Sequence, residues 1–238
     1  MMREGLLIVF HTISTVQFGF AVYYGFFELH VPVEVSKMFS GYAGKWKFLT
    51  FWGAILQALF FFVCMLNDWF GTNAVNPKKP PLIRKFKDFL YASLAFPIAM
   101  FVSLTFWGLM SIDRELVFPK SVDPYFPWWL NHLMHTMVLV STLIEMILSP
   151  KQYPRRLFGL STVSIFGSLY LLWVHVIHYK SGVWVYPLLP LMSVPVRVLF
   201  LVSMVVFSGM LYILGEALDN FVWGNEHNKQ QKSHAKSK

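Results

Sequence analysis

The sequence predicts an all-α polytopic membrane protein, a bundle of about six transmembrane helices. Two observations carry this. Of its 238 residues, 56% are hydrophobic and 13% charged, whereas globular domains run to about 25% charged; so large an apolar surplus calls for lipid as the solvent. The apolar residues also gather into six stretches of the roughly 17–25 residues that a spanning helix requires. A mean hydropathy of +0.52 agrees.

The first stretch, about 6–27, follows Arg3 directly. It is longer than a signal-peptide core and no small-x-small site closes it, so it reads as a first helix. The second, about 46–67, opens at Trp46. The third, about 88–111, contains Pro97, which a membrane helix tolerates because neighbouring helices satisfy the freed backbone groups. The last three are expected at 128–148, 157–178 and 196–218. Prolines punctuate the turns: Pro77, Pro80 and Pro81, then Pro119 and Pro127, Pro150 and Pro154, and Pro187 to Pro195. The expected organisation is one transmembrane domain, 1–224, and a polar, disordered cytosolic tail, 225–238.

A net charge of +8 raises the question of nucleic acid, but the basic residues fall in short loops and the tail, which suits membrane orientation instead. Thirteen lie on the side that holds both termini, seven on the other. That asymmetry predicts cytosolic termini, in a protein of the endoplasmic reticulum or plasma membrane. Trp46, Trp107, Trp128, Trp129, Trp184 and Trp223 sit near helix ends, as an interfacial aromatic belt would. The single cysteine, Cys64, cannot form an intramolecular disulfide and leaves the redox compartment undetermined.

Polar side chains inside a membrane helix are costly and ask for a reason. The fourth stretch holds Trp129-Leu-Asn-His-Leu-Met-His-Thr136; His132 and His135, three apart, share a helical face. His175 and His178 repeat the spacing on the fifth stretch, at similar depth in the non-cytosolic half. Thr50 lies about 6 Å below the same boundary if its helix begins near Trp46, and His135 about 10 Å below it. The two can therefore meet laterally. A neutral histidine is suited to take the proton of a threonine hydroxyl, although a lone helical threonine more often bonds back to a carbonyl. A second class is a metal or haem site, with the paired histidines as ligands. Nucleophile-elbow, zinc-helix, haem-attachment and phosphate-loop motifs are absent. From the residues alone, the reading ends at a polar, histidine-rich cavity open to the non-cytosolic side.

Several blocks resemble one family, the androgen-induced and androgen-dependent TFPI-regulating proteins. They are Trp46-Lys-Phe-Leu-Thr50, Leu94-Ala-Phe-Pro97, Phe106-Trp107, Asp113-Arg-Glu-Leu116, Phe118-Pro-Lys120, the Trp129–Thr136 segment, Tyr153-Pro154, Gly182-Val-Trp-Val-Tyr-Pro187 and Tyr212-Ile-Leu-Gly-Glu216. The resemblance runs from Trp46 to Trp223. It implies a multipass hydrolase of fatty acid esters of hydroxy fatty acids, working without metal or organic cofactor. It places the family's nucleophile on Thr50 and its essential histidine on His135. On that reading the partners are the lipid ester and membrane lipids, with no nucleic acid. Asn131 and His132 are candidates to hold an oxyanion or orient the base, and Lys47, Arg114 and Lys120 to hold a substrate carboxylate. The alternatives are the histidine-ligated metal or haem protein and a non-catalytic lipid-binding protein of the same fold.

Overall fold

Each apolar stretch becomes a helix because lipid offers a backbone N–H or C=O no water, so the segment must pair its own polar groups. The computed structural model describes residues 2–39 and 41–236, and these form helices and turns without a strand. Six helices are long and apolar enough to span a membrane: α1 (Arg3–Glu28), α2 (Leu49–Phe70), α3 (Leu82–Ile112), α4 (Trp128–Leu148), α5 (Arg156–Ser181) and α6 (Val194–Glu226). Six crossings return the chain to its starting side. We call that the terminal side and the opposite one the loop side.

Helix α1 lies along α2, and α6 packs against α3 and α5. Phe60 and Phe61 of α2 meet Tyr91 and Phe96 of α3 in the buried centre. Two contacts demand glycine. A Cβ on Gly159 would fall 2.3 Å from the Tyr212 ring, and one on Gly215 2.6 Å from the Phe96 ring. Small residues that let membrane helices close up in this way are the usual means of packing without a hydrophobic drive. On the outer faces, Val9, Ile13 and Val16 of α1 and Val198, Val202 and Val206 of α6 are each more than half exposed, an arrangement stable against lipid and not against water.

The boundaries differ from the sequence expectation in three places, each for a local reason. Helix α2 starts at Leu49, not Trp46, because Gly44–Lys47 forms a separate 3-10 turn and Phe48 is extended. Helix α3 starts at Leu82, six residues early, because Arg84, Lys87 and Asp88 are buried against protein instead of lying in water. The last helix continues to Lys236, through the stretch where a disordered tail is expected. That stretch has four lysines and two glutamines, good helix formers, and carries no proline to stop it.

Three helices contain a widened π-turn: Tyr24–Glu28, Tyr91–Ala95 and Leu133–Met137. The second explains itself, since Pro97 has no N–H and its ring would press on the carbonyl of Ser93 in a regular helix. The third carries His135.

A buried ionic network ties the terminal side together. His11 faces Asp68 at 2.6 Å and Glu145 at 2.8 Å, and Lys151 meets the other Glu145 oxygen at 2.7 Å. Lys87 donates to Asn73 Oδ1 and Ser149 Oγ, while Arg84 pairs with Asp88 at 2.6 Å and donates to the Pro150 carbonyl. Helices α1 to α4 and the 149–152 turn are thereby fastened at one end.

Candidate active site

The first turn of a helix leaves its N–H groups without intrahelical acceptors. Phe48, at the cap of α2, has no side chain that can accept them. Two tyrosines from elsewhere take over. The Leu49 N–H donates to the hydroxyls of Tyr170 (3.0 Å) and Tyr186 (3.3 Å), which lie 2.7 Å from each other. The Tyr170 hydroxyl also bonds the Lys47 carbonyl at 2.9 Å. Thr50, the second residue of α2, is thus fixed at a helix end whose position depends on α5 and on the loop after it.

His135 reaches Thr50 from α4. The Asn131 carbonyl, 3.0 Å away, can only accept, so His135 Nδ1 carries the proton. Its Nε2 is left with a lone pair, and the Thr50 hydroxyl lies 3.2 Å from it. Phe106 stacks on the imidazole face, with centroids 3.5 Å apart and planes at 14°. The ring is therefore locked in position and tautomer, with its basic nitrogen on Thr50. A wide turn is a common way to aim a side chain at a functional site.

Two apolar cavities adjoin this pair. The smaller, about 70 Å³, is lined by both Thr50 and His135, with Phe51, Phe118, Met134 and Lys45. The larger, about 320 Å³, runs from Thr50 between α3, α5 and α6 past Phe101, Leu104, Val174 and Met204. Thr50, Phe106, Val117 and Tyr186 line both.

Of the residues singled out in the sequence, Thr50 and His135 are brought together. Asn131 orients His135 through its backbone carbonyl, and its side chain lines neither cavity. His132 is exposed, stacks on Trp107 and bonds Thr136 Oγ1 at 3.1 Å. Lys47 is buried, and burial lowers its ammonium pKa, but it lines neither cavity. Arg114 is spent on Asp123 at 2.5 Å and on the Phe118 carbonyl. Lys120 is placed by its backbone N–H on Glu115 and lines neither cavity.

The sequence reading misses Lys45, which does line the smaller cavity and donates to the Phe26 carbonyl at 2.8 Å. Burial lowers its ammonium pKa also. Tyr170 is missed as well, and Tyr186 stands within a quoted block without a role. His175 bonds its own helix at Leu171, and His178 stacks on Trp184 at 3.9 Å. His132 and His135 thus stack on different rings, Trp107 and Phe106, whereas His175 and His178 both lie against Trp184. Among the described residues, one group brings three metal-type ligand atoms together, His11, Cys64 and Glu145. There the Lys151 ammonium sits 2.7 Å from Glu145 Oε1, and a fixed cation at that distance opposes a second one.

The fold and this site define a polytopic membrane protein with a threonine–histidine pair set between apolar cavities near the loop side. The FAR-17a/AIG1-like protein family matches residues 6–220, and the chain belongs to that family. It is 39% identical over 196 residues to the human androgen-induced gene 1 protein, covering 80% of this chain and 82% of that one. It is 35% identical over 207 residues to the rat androgen-dependent TFPI-regulating protein, covering 85% and 89%. A UPF0641 membrane protein of Schizosaccharomyces pombe is 24% identical over 213 residues, covering 87% and 86%. No solved structure matches.

Proposed function

We propose that the protein is a membrane-embedded esterase that hydrolyses fatty acid esters of hydroxy fatty acids, with Thr50 as nucleophile and His135 as general base. One observation carries the reading: the Thr50 hydroxyl lies 3.2 Å from a histidine nitrogen whose opposite nitrogen is bonded to a carbonyl. A hydroxyl is a weak nucleophile until a positioned base takes its proton, and such a base contributes about 10²–10⁴-fold. The surroundings suit the substrate class. A branched ester has an acyl chain on one side of the reacting carbonyl and the hydroxy fatty acid on the other, and Thr50 lines two apolar cavities. Lys45, at the smaller cavity, has the charge to hold a free carboxylate there.

The reaction runs in two halves. Thr50 Oγ1 attacks the ester carbonyl as its proton passes to His135 Nε2. The tetrahedral adduct collapses, the C–O bond to the hydroxy fatty acid breaks, and the departing oxygen takes the proton from His135. Water then adds to the acyl-threonine, with His135 again accepting a proton. Collapse releases the fatty acid and restores the Thr50 hydroxyl.

The test is to purify the wild type, Thr50→Ala and His135→Ala, and to measure fluorophosphonate labelling and hydrolysis of a branched ester. Wild-type turnover with loss of both signals in the two folded variants is expected. A wild type that binds the ester without cleaving it would make the protein a lipid-binding member of its family.

A further inference from the structure

We propose that Tyr186 is a third catalytic residue, its phenol donating a hydrogen bond to the ester oxygen that becomes negative as Thr50 attacks. This rests on the esterase reading above. An ester with one chain in each cavity has its carbonyl where the cavities meet. Four residues line both: Thr50, Phe106, Val117 and Tyr186. Apart from the nucleophile, Tyr186 brings the one polar side chain to that junction.

The other donors nearby are badly placed or already committed. The Asn131 side chain lines neither cavity, and Lys45 lines the smaller one alone, away from the junction. Tyr170 lines the larger one, and its hydroxyl meets both the Leu49 N–H and the Lys47 carbonyl. That leaves Tyr186, whose oxygen is 3.3 Å from the Leu49 nitrogen and so stands beside the backbone of Thr50.

The tyrosine pair supplies a donor that can turn. With Tyr170 donating to the Lys47 carbonyl, Tyr186 donates to Tyr170 across 2.7 Å. When Tyr170 donates to Tyr186 instead, the Tyr186 proton is released towards the junction. Burial raises the Tyr186 pKa and keeps it a donor. The Thr50 N–H belongs to the same first turn of α2, where N–H groups lack intrahelical acceptors, so it can add a second bond. As Thr50 Oγ1 bonds to the carbonyl carbon, the carbonyl electron pair moves onto its oxygen, and the phenol proton stays on Tyr186 while bonding it. When the leaving oxygen departs, the pair returns.

Tyr186→Phe keeps the ring and removes the donor. We expect kcat to fall about 10²–10³-fold, the loss typical of one oxyanion donor, with KM within threefold. Affinity for an acyl trifluoromethyl ketone, which forms an oxyanion with Thr50, should fall in parallel, while affinity for the product fatty acid holds. A structural role alone would not separate those two ligands. If the phenylalanine variant fails to fold, 2,3,5-trifluorotyrosine at position 186 keeps the bonds and makes the phenol more acidic. The alkaline limb of kcat should then move to lower pH. A kcat within threefold of wild type, an unchanged ketone affinity or an unmoved alkaline limb overturns the proposal. If Thr50→Ala is inactive and Tyr186→Phe is fully active, this inference alone falls; if Thr50→Ala is fully active, the esterase reading falls with it.

Discussion

The two ends of the bundle use polar groups in opposite ways. On the terminal side, His11, Asp68, Glu145, Lys151, Lys87, Arg84 and Asp88 are buried together, and each charge meets an opposite charge or a hydrogen-bond partner. Near the loop side, Thr50 and His135 meet through one bond, with cavities adjoining. Buried charges that satisfy one another hold elements in place, and removing one partner leaves the other stranded. A neutral pair at the edge of open volume holds little, but it leaves a lone pair and a hydroxyl facing space that a ligand can enter. The first arrangement fits a clamp and the second a site of chemistry.

The sharpest way to break that contrast is at Thr50. Its hydroxyl bonds His135 and nothing in the clamp, so Thr50→Ala should cost more than about 10³-fold in ester hydrolysis and almost nothing in thermal stability. His135→Ala should cost about as much, and the double variant no more than either alone, because the pair acts as a unit. Additive losses in the double variant would mean that the two residues work separately.

Glu145 gives the mirror image. Glu145→Gln keeps the volume but strips the charge from between His11 and Lys151. Breaking a buried pair from one side costs about 3–5 kcal/mol, to be read as a lower unfolding temperature in detergent. Hydrolysis per folded molecule should stay near wild type. A Glu145→Gln protein of normal stability and poor activity would reverse the assignment of the two ends.

The contrast is only half visible in the sequence. Helix existence is plain, because an apolar run of spanning length has one stable conformation in lipid. Helix ends are not: Leu82–Lys87 looks like a loop until its charges are seen to be met by the turns after α2 and after α4. The Thr50–His135 meeting follows from motif and depth, even though the depth counted from Trp46 assumes a helix that begins three residues too early. Lys45 and Tyr186 could not be ranked, since what distinguishes them from Lys47 and Tyr170 is which cavity they face. His11 did carry a signal. It is an ionisable residue within the first apolar run, and Glu145 is one within the fourth; such residues usually have each other as partners.

Lys45 separates recognition from chemistry within the loop-side site. Lys45→Met should raise KM about tenfold for an ester with a free carboxylate, the value of one charge-assisted hydrogen bond, and leave kcat near wild type. The corresponding methyl ester should show no such change. Equal effects on acid and methyl ester would remove Lys45 from recognition.

The smallest expected effect is on pH, and its sign follows from the same lysine. Burial lowers the Lys45 pKa, so its ammonium is present at low and neutral pH and is lost as pH rises, before an exposed lysine would lose it. For a carboxylate substrate, kcat/KM should therefore decline on the alkaline side earlier than for the methyl ester, whose binding does not use that charge. Lys45→Arg supplies the control, because a guanidinium stays protonated throughout this range. In that variant the acid and methyl ester profiles should run parallel. If the wild-type acid profile already parallels the methyl ester profile, the carboxylate is held elsewhere, and the buried ammonium of Lys47 is the next to vary.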